Sequence, residues 1–214
     1  MLSRRRHFVS ALAIALASTA VLRAQSAQEN AADAERLIQA LALQTGQTVG
    51  EIGAGGGELT IALAKVVGES GRVLSNDINK GSLSKIGAAA DKAGVHNVTL
   101  VEGRENETNF PESCCDAVFM RNVYHHFGDP PAMNASIRAS LKPGGRLAII
   151  DFTPPRGKNG ESGENVPGRR AEDQHHGVTA ATVARELEAA GFEILSSTES
   201  GTRGVLVVAR RPPA

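Results

Sequence analysis

Short apolar runs alternate with longer stretches of helical periodicity along the chain from about residue 30 onward. The short runs are rich in Val, Ile and Leu, which is typical of buried strands. The longer stretches place apolar residues on one face, as amphipathic helices do. This alternation predicts one α/β domain with a mainly parallel sheet.

The pattern resolves into seven strands and five helices. The predicted strands are Thr48–Ile52, Arg72–Asn76, Val98–Glu102, Ala117–Arg121, Arg146–Phe152, Phe192–Ser197 and Gly204–Ala209. The predicted helices are Asp33–Leu43, which we expect to stop at Gly46, and then Glu58–Val67, Asn79–Ala93, Pro131–Leu141 and Thr179–Ala190. No clear helix separates the third and fourth strands. The last two strands are too close in sequence for a parallel crossover, so they should form an antiparallel hairpin.

The first 27 residues have the pattern of a signal peptide. A basic start, Met1-Leu-Ser-Arg-Arg-Arg-His-Phe-Val9, precedes an apolar stretch to Leu22 and small residues near a cleavage point. Arg5-Arg6-His7-Phe8-Val9 resembles the twin-arginine export motif. We therefore expect residues 28–214 to form the domain and the protein to be exported to the periplasm. An uncleaved membrane anchor or a basic tail on a cytoplasmic protein is the alternative.

The amino-acid composition limits the kinds of partner that the domain can bind. Removing residues 1–24 deletes four arginines and no acidic residue, so the net charge falls from 0 to −4. Aromatic residues make up 3% of the chain, and there is no Trp. A mildly acidic domain with few aromatics is not expected to bind nucleic acid. The residues do not indicate an oligomeric state.

A glycine-rich turn follows the first strand. Glu51-Ile-Gly-Ala-Gly-Gly-Gly57 places glycines where the backbone must turn tightly and let a ligand approach. An acid, Asp77, ends the next strand, where a carboxylate can accept hydrogen bonds from both hydroxyls of a ribose. Alone, such a turn indicates only a nucleotide-like ligand.

These segments together resemble class I S-adenosylmethionine-dependent methyltransferases. Glu51–Gly57 resembles the first motif of that family, Val73-Leu-Ser-Asn-Asp77 the second, and Leu141-Lys-Pro-Gly-Gly-Arg-Leu147 the turn that enters the fifth strand. The resemblance implies a Rossmann-like, seven-stranded, mostly parallel sheet with an antiparallel C-terminal hairpin and helices on both faces. It also implies S-adenosylmethionine as the cofactor.

The resemblance assigns residues to the cofactor. The methionine part would be held by residues of the glycine-rich turn, which are Glu51, Gly53, Ala54, Gly55 and Gly57. Asp77 would hold the ribose, and Ile78 would flank the adenine. Arg121 and Asn122 would border the methionine part from the end of the fourth strand. The family often has Gly-Asp after the third strand, but here Gly103 precedes Arg104 and Glu105, which we take as the substitutes.

The methyl-accepting side should lie just after the fourth strand. Met120-Arg-Asn-Val-Tyr-His-His-Phe-Gly-Asp-Pro130 resembles the corresponding segment of small-molecule methyltransferases of the quinone-biosynthesis type. Tyr124, His125 and His126 would then face a small, apolar or phenolic acceptor. We expect the two histidines to point in different directions, one lining the pocket and the other packing. Asp151 is a candidate pocket carboxylate, with a capping or loop role as the alternative.

Three other features carry less information. Residues 153–177 are rich in Pro, Gly and charge, and we interpret them as a mobile loop over the site, or else as a disordered insertion. Cys114 and Cys115 are adjacent, which excludes a disulfide framework, and we interpret the pair as a turn at a strand edge. We predict no metal site, although His175 and His176 could in principle join the first histidine pair.

Two other functions compete with methyl transfer. A nicotinamide-dependent oxidoreductase would share the glycine turn and the downstream acid, but Glu58 occupies the place of its third glycine. A non-catalytic binding module would keep the fold without the chemistry. Export of a cofactor-dependent enzyme is itself a reason to consider this last function, because the cofactor is made in the cytoplasm.

Overall fold

The computed structural model describes residues 25–154, 177–201 and 204–213. The expected signal segment up to residue 24 and residues 155–176 of the expected loop lie outside the described residues. Five helices and seven strands follow one another: α1 (25–41), β1 (Thr48–Ile52), α2 (Glu58–Val67), β2 (Arg72–Asp77), α3 (Lys80–Ala93), β3 (Val98–Glu102), β4 (Cys115–Arg121), α4 (Pro130–Ser140), β5 (Leu141–Asp151), α5 (Ala180–Ala189), β6 (Glu193–Thr198) and β7 (Val205–Arg210). A short 3-10 turn spans Tyr124–His126 between β4 and α4.

The strands form one sheet in the order β3-β2-β1-β4-β5-β7-β6. β7 pairs antiparallel with both β5 and β6, and the remaining pairings are parallel. The predicted seven-stranded fold with its antiparallel C-terminal hairpin is therefore confirmed. The chain reverses its direction of travel across the sheet at β1 and β4, and open α/β sheets bind ligands at the carboxyl ends of strands at such a point.

Apolar cores cover both faces of the sheet. One core packs α1 and α2 on the face that carries Val49, Phe119 and Ile150. The other packs α4 and α5 on the face that carries Val118, Met120 and Ile149. The alternation of neighbouring β4 residues between the two cores is the period of two expected of a strand buried on both sides.

Three elements, α1, β4 and β5, differ from their predicted bounds by more than one residue. α1 already includes residue 25, which is the first described residue and lies eight residues before the predicted Asp33, and it ends where Ala42 adopts a φ of 50°, before Gly46 is reached. β4 begins at Cys115 instead of Ala117. β5 begins at Leu141, because Leu141 pairs with Cys115 and the predicted turn at 142–145 bulges out of the ladder before Arg146 pairs with Ala117.

The remaining elements match their predicted bounds to within one residue at each end. α2, β1 and β3 have the predicted limits. No helix lies between β3 and β4, in residues 103–114. Within the described ranges, no helix has both the length and the apolar character needed to cross a membrane.

Candidate functional site

The turn between β1 and α2 depends on left-handed backbone at three glycines. Gly53, Gly55 and Gly57 have φ values of 67°, 58° and 83°, a region that L side chains rarely adopt. A Cβ at Gly53 would also overlap the side chain of Val123, which follows β4. The turn therefore needs glycine for its backbone, and at Gly53 it needs glycine for space as well.

Asp77 ties this turn to the end of β2. Its carboxylate accepts the Gly55 N–H at 2.9 Å and the Asn79 N–H at 2.8 Å. The Ala54 N–H donates to the carbonyl of Asn76 at 2.9 Å, which joins the same two segments a second time. Backbone donors thus fix the orientation of the Asp77 carboxylate beside the glycines.

Glu51 lies beneath the turn in a buried polar cluster. Only 4% of the residue is exposed, and its carboxyl accepts a hydrogen bond from the Thr60 hydroxyl, which in turn contacts the Ser75 hydroxyl at 2.9 Å. Burial raises the pKa of Glu51 from 4.5 to about 8, against the opposing effects of the Thr60 hydrogen bond and the Arg121 charge. A cation placed nearby would favour the charged form and lower this pKa.

A cavity of about 540 Å³ opens beside Asp77. Its walls include Ile78, Arg104, Glu105, Val123 and His126. Ile78 is 64% exposed, an unusual position for a large apolar side chain. Arg104 pairs with Glu107 at 2.8 Å on the rim. The cavity therefore combines a fixed carboxylate, an apolar side chain and charged groups.

Arg121 and Asn122 face a second cavity, of about 700 Å³, between the end of β4 and α1. The Arg121 guanidinium donates to Asn30 at 2.5 Å and to Asp33 at 3.3 Å, so it joins α1 to the sheet. Asn122 has a φ of 57°, and its N–H donates to the carbonyl of Ile150 at 2.9 Å. Since Val123 lines the first cavity and Asn122 lines the second, this segment forms part of the wall of both.

Tyr124 does not have the predicted position in a pocket wall. Its ring is fully buried, its hydroxyl donates to Glu186 at 2.9 Å, and it accepts from the Asn134 amide at 2.8 Å. These contacts reach α5 and α4, so Tyr124 packs in the core on that face of the sheet. The expectation that it faces the acceptor is corrected by these hydrogen bonds.

The two histidines differ in exposure. His126 is exposed and lines the first cavity, whereas His125 is 3% exposed. Their ring centroids lie 3.9 Å apart, so the two rings contact each other although only His126 lines the cavity. The His125 ring also contacts Phe152, a residue of the second cavity, at 4.7 Å.

Asp151 anchors this segment from the end of β5. The carboxylate is buried and lies 2.9 Å from His125 Nδ1, and it accepts the N–H groups of His125 and Phe152 at 3.2 and 2.9 Å. An ionised carboxylate can only accept, so this contact is a hydrogen bond in the tautomer that carries the proton on Nδ1 of His125. Asp151 therefore holds the histidine pair and does not itself open to a cavity.

Two residues of the site, Thr60 and Val123, were not predicted from the sequence. Thr60 donates a hydrogen bond to Glu51, and the only indication of this role in the sequence is that Thr60 is a polar residue on the buried face of α2. Val123 limits the space at Gly53, and nothing local in the sequence indicates a contact across 70 positions. Among the described residues, no group of three or more His, Cys, Asp or Glu is placed to hold a metal ion.

A family model described as a methyltransferase domain matches residues 24–197. The chain belongs to this methyltransferase family. The match confirms the family predicted from the glycine-rich turn and Asp77, with S-adenosylmethionine as cofactor.

Individual relatives agree with the family match. The ubiquinone/menaquinone biosynthesis C-methyltransferase UbiE of Psychromonas ingrahamii is 33% identical over 115 residues, which cover 53% of this chain and 45% of the relative. The chain spans about half the length of the curated relatives it matches. The crystal structure of a SAM dependent methyltransferase from Aquifex aeolicus is 25% identical, with a TM-score of 0.65 over 83% of this chain and 88% of that one.

A third comparison shows the fold alone. The [4+2]-cyclase SpnF aligns with a TM-score of 0.72 at 17% identity, covering 85% of this chain and 81% of that chain. A protein named for a cyclisation thus has the same architecture. The fold by itself therefore does not determine the reaction.

We expect Gly53→Ala to destabilise the methyltransferase more than Gly55→Ala. Both substitutions place alanine at a positive φ, which costs about 1–2 kcal/mol in either case. Only at Gly53 does the new Cβ also meet Val123, whereas at Gly55 no atom lies within 4 Å. Urea unfolding of the two variants measures the difference, and equal losses would contradict the role of Val123.

We expect Glu51→Gln to flatten the pH dependence of stability between pH 5 and 8. The unfolded Glu51 loses its proton near pH 4.5 and the folded one near pH 8, so rising pH favours the unfolded state throughout this window. This group alone can remove up to about 1.4 kcal/mol of stability per pH unit. Glutamine keeps an acceptor for Thr60 and does not titrate.

Urea unfolding at pH 5, 6.5 and 8 tests this expectation. The stability of Glu51→Gln relative to the unmodified protein should rise with pH. Parallel pH profiles would show that Glu51 does not titrate in this window.

Proposed function

We propose that this methyltransferase transfers a methyl group from S-adenosylmethionine to a small-molecule acceptor by in-line displacement. The observation that carries the proposal is the Asp77 carboxylate, fixed by two backbone donors beside the glycine-rich turn at the edge of the first cavity. When bound, S-adenosylmethionine supplies a methyl group on a positively charged sulfur that is already an activated leaving group. The acceleration then comes largely from positioning donor and acceptor.

The first cavity suits the adenosine part of the cofactor. Asp77 has lone pairs left to accept the two ribose hydroxyls, since each carboxylate oxygen accepts one backbone N–H. The exposed Ile78 would cover one face of the adenine. Arg104 and Glu105 line the same wall and would contact the polar edge of the base.

The glycine-rich turn suits the methionine part. Gly53, Ala54, Gly55 and Gly57 form this turn, and Gly55 has open space where a side chain would otherwise stand. Glu51 beneath the turn provides a carboxyl that a cation would ionise. Arg121 and Asn122 border the second cavity, where we place the far end of the methionine part and the approach of the acceptor.

The segment after β4 would receive the acceptor. His126 is the exposed member of the pair, and Asp151 and His125 hold it in place from beneath. We assign Asp151 a positioning role, because its carboxylate does not open to a cavity. If the acceptor must lose a proton, the histidine pair offers ring nitrogens that can take it, and with Nδ1 bonded to Asp151 the proton would enter His125 at Nε2.

A non-catalytic binding module is the second candidate function. It stays a candidate because this architecture does not by itself ensure methyl transfer, as the cyclase with the same fold illustrates. The nicotinamide alternative is not favoured, since the matched family is one of methyltransferases.

We expect the protein to bind S-adenosylmethionine and not NAD, and to convert the former to S-adenosylhomocysteine with a member of a panel of phenols and quinones. Asp77→Asn should weaken S-adenosylmethionine binding about tenfold or more, because it removes the charge that the ribose hydroxyls meet. Asp151→Asn should leave that affinity unchanged but lower kcat roughly 100-fold and alter the pH profile of kcat. Isothermal titration and product detection by mass spectrometry provide the measurements.

The outcomes separate the hypotheses. Binding of NAD alone would overturn the proposed function. Tight binding of S-adenosylmethionine without turnover of any acceptor would favour the binding module. Equal loss of binding in both variants would show that Asp151 acts on the fold and not on the transfer step.

We also propose that the first 27 residues direct export. The support is the arginine pair, the apolar stretch that follows it, and the start of the matched domain at residue 24, directly after that stretch. The twin-arginine route carries folded proteins, so the cofactor could travel bound. The alternatives are an uncleaved anchor and retention in the cytoplasm.

We expect a shorter mature protein in the periplasm and retention of the full chain when Arg5 and Arg6 are both replaced by Lys. Cell fractionation and N-terminal sequencing measure this, with Arg4→Lys as the matched control because it leaves the pair intact. Full-length protein in the membrane fraction would indicate an anchor, and full-length protein in the cytosol of both strains would contradict export.

A further inference from the structure

Two neighbouring cysteines meet at the start of β4, at the end of the strand opposite the cavities. Cys114 and Cys115 are the only cysteines of the chain, and their Sγ atoms lie 2.7 Å apart. Successive side chains of an extended strand point to opposite faces, so adjacent thiols do not normally meet. Here the backbone is irregular on both sides, with a φ of 49° at Ser113 and a register shift between Cys115 and Ala117.

The two thiols differ in access and in acidity. Cys114 is half-buried, whereas Cys115 is fully buried in the core. The hydrogen bond with Cys115 lowers the pKa of the Cys114 thiol, and the ammonium of Lys142 contributes in the same direction. The same hydrogen bond, together with burial, raises the pKa of Cys115. Thiols that sense oxidants combine a low pKa and solvent access with a neighbouring resolving thiol.

We propose that Cys114 and Cys115 form a reversible oxidation site that reacts with small-molecule disulfides. The Cys114 thiolate attacks one sulfur of the disulfide and releases the first thiol. Cys115 then loses its proton and attacks the Cys114 sulfur of the mixed disulfide, which releases the second thiol. The protein loses two hydrogens in total as a disulfide forms between neighbouring residues, and the small molecule is reduced to two thiols.

The spacing of the pair makes the product easy to reduce. Adjacent Cα atoms lie about 3.8 Å apart, below the roughly 4.4–6.8 Å that unstrained disulfides span. Strained disulfides are the labile ones, which suits a reversible modification and not a structural bridge. Because Cys115 is a core residue and pairs with Leu141, oxidation should also lower the melting temperature of the protein.

The test exposes the native, full-length protein to oxidised glutathione, blocks remaining thiols with N-ethylmaleimide and determines the mass. The unmodified protein should lose two hydrogens, keep no glutathione and take up no maleimide, and dithiothreitol should reverse the change. Cys115→Ala should retain one glutathione, because the resolving thiol is absent. Cys114→Ala should retain none, because the remaining thiol is buried, and it should take up maleimide only after unfolding in urea.

Several results would overturn the proposal. One is a stable glutathione adduct on the unmodified protein, which would mean that Cys115 does not resolve it. Others are no reaction at all, or disulfide-linked dimers on a non-reducing gel. Circular dichroism checks that each variant is folded, and Cys115→Val replaces Cys115→Ala if the smaller side chain prevents folding.

Discussion

The hydrogen bond from the Gly55 N–H to the Asp77 carboxylate is the interaction on which the candidate site depends. It requires left-handed backbone in the turn and an acid at the last position of β2, and it fixes each in relation to the other. The parallel register of β1 and β2 brings Glu51 opposite Ser75, so the buried acid lies directly beneath the same turn. Glu51, the glycine-rich turn and Asp77 thus form one structural unit, although Glu51 and Asp77 lie 26 positions apart in the sequence.

Two carboxyl groups in this unit have opposite environments. Asp77 meets backbone donors at the edge of a cavity, whereas Glu51 is buried among hydroxyls and carries a raised pKa. The difference follows from geometry, because the end of a strand is open to the cavity while its interior lies between two layers of helices. A ligand with a positive charge gains from both groups, and Glu51 must release its proton to interact with that charge. The binding of a cationic ligand is therefore coupled to pH through Glu51.

Sequence patterns predicted those elements whose limits are determined by neighbouring residues. α2 has its predicted limits because Gly57 and Gly68 bound a continuous helical period. The start of α1 was missed because residues 25–32 are mostly polar and carry no apolar period. The bulge in β5 was missed because it depends on pairing with β4. Likewise, Tyr124 was misplaced because Glu186, its partner 62 residues away, decides where its hydroxyl lies. Sequence reasoning found the turn and its acid, but it could not orient side chains held by distant partners.

The segment after β4 has more bearing on the reaction than the turn does. In the proposed assignment, the turn and Asp77 hold the donor, and the acceptor must reach it along one line. Asn122 and Val123 are consecutive, yet they line different cavities, and the left-handed φ of Asn122 is what turns the chain between them. The Ile150 carbonyl and the Asp151 carboxylate fix this segment from β5. Under the proposed assignment, a change of acceptor would require a change around residues 122–126, while the donor site could stay the same.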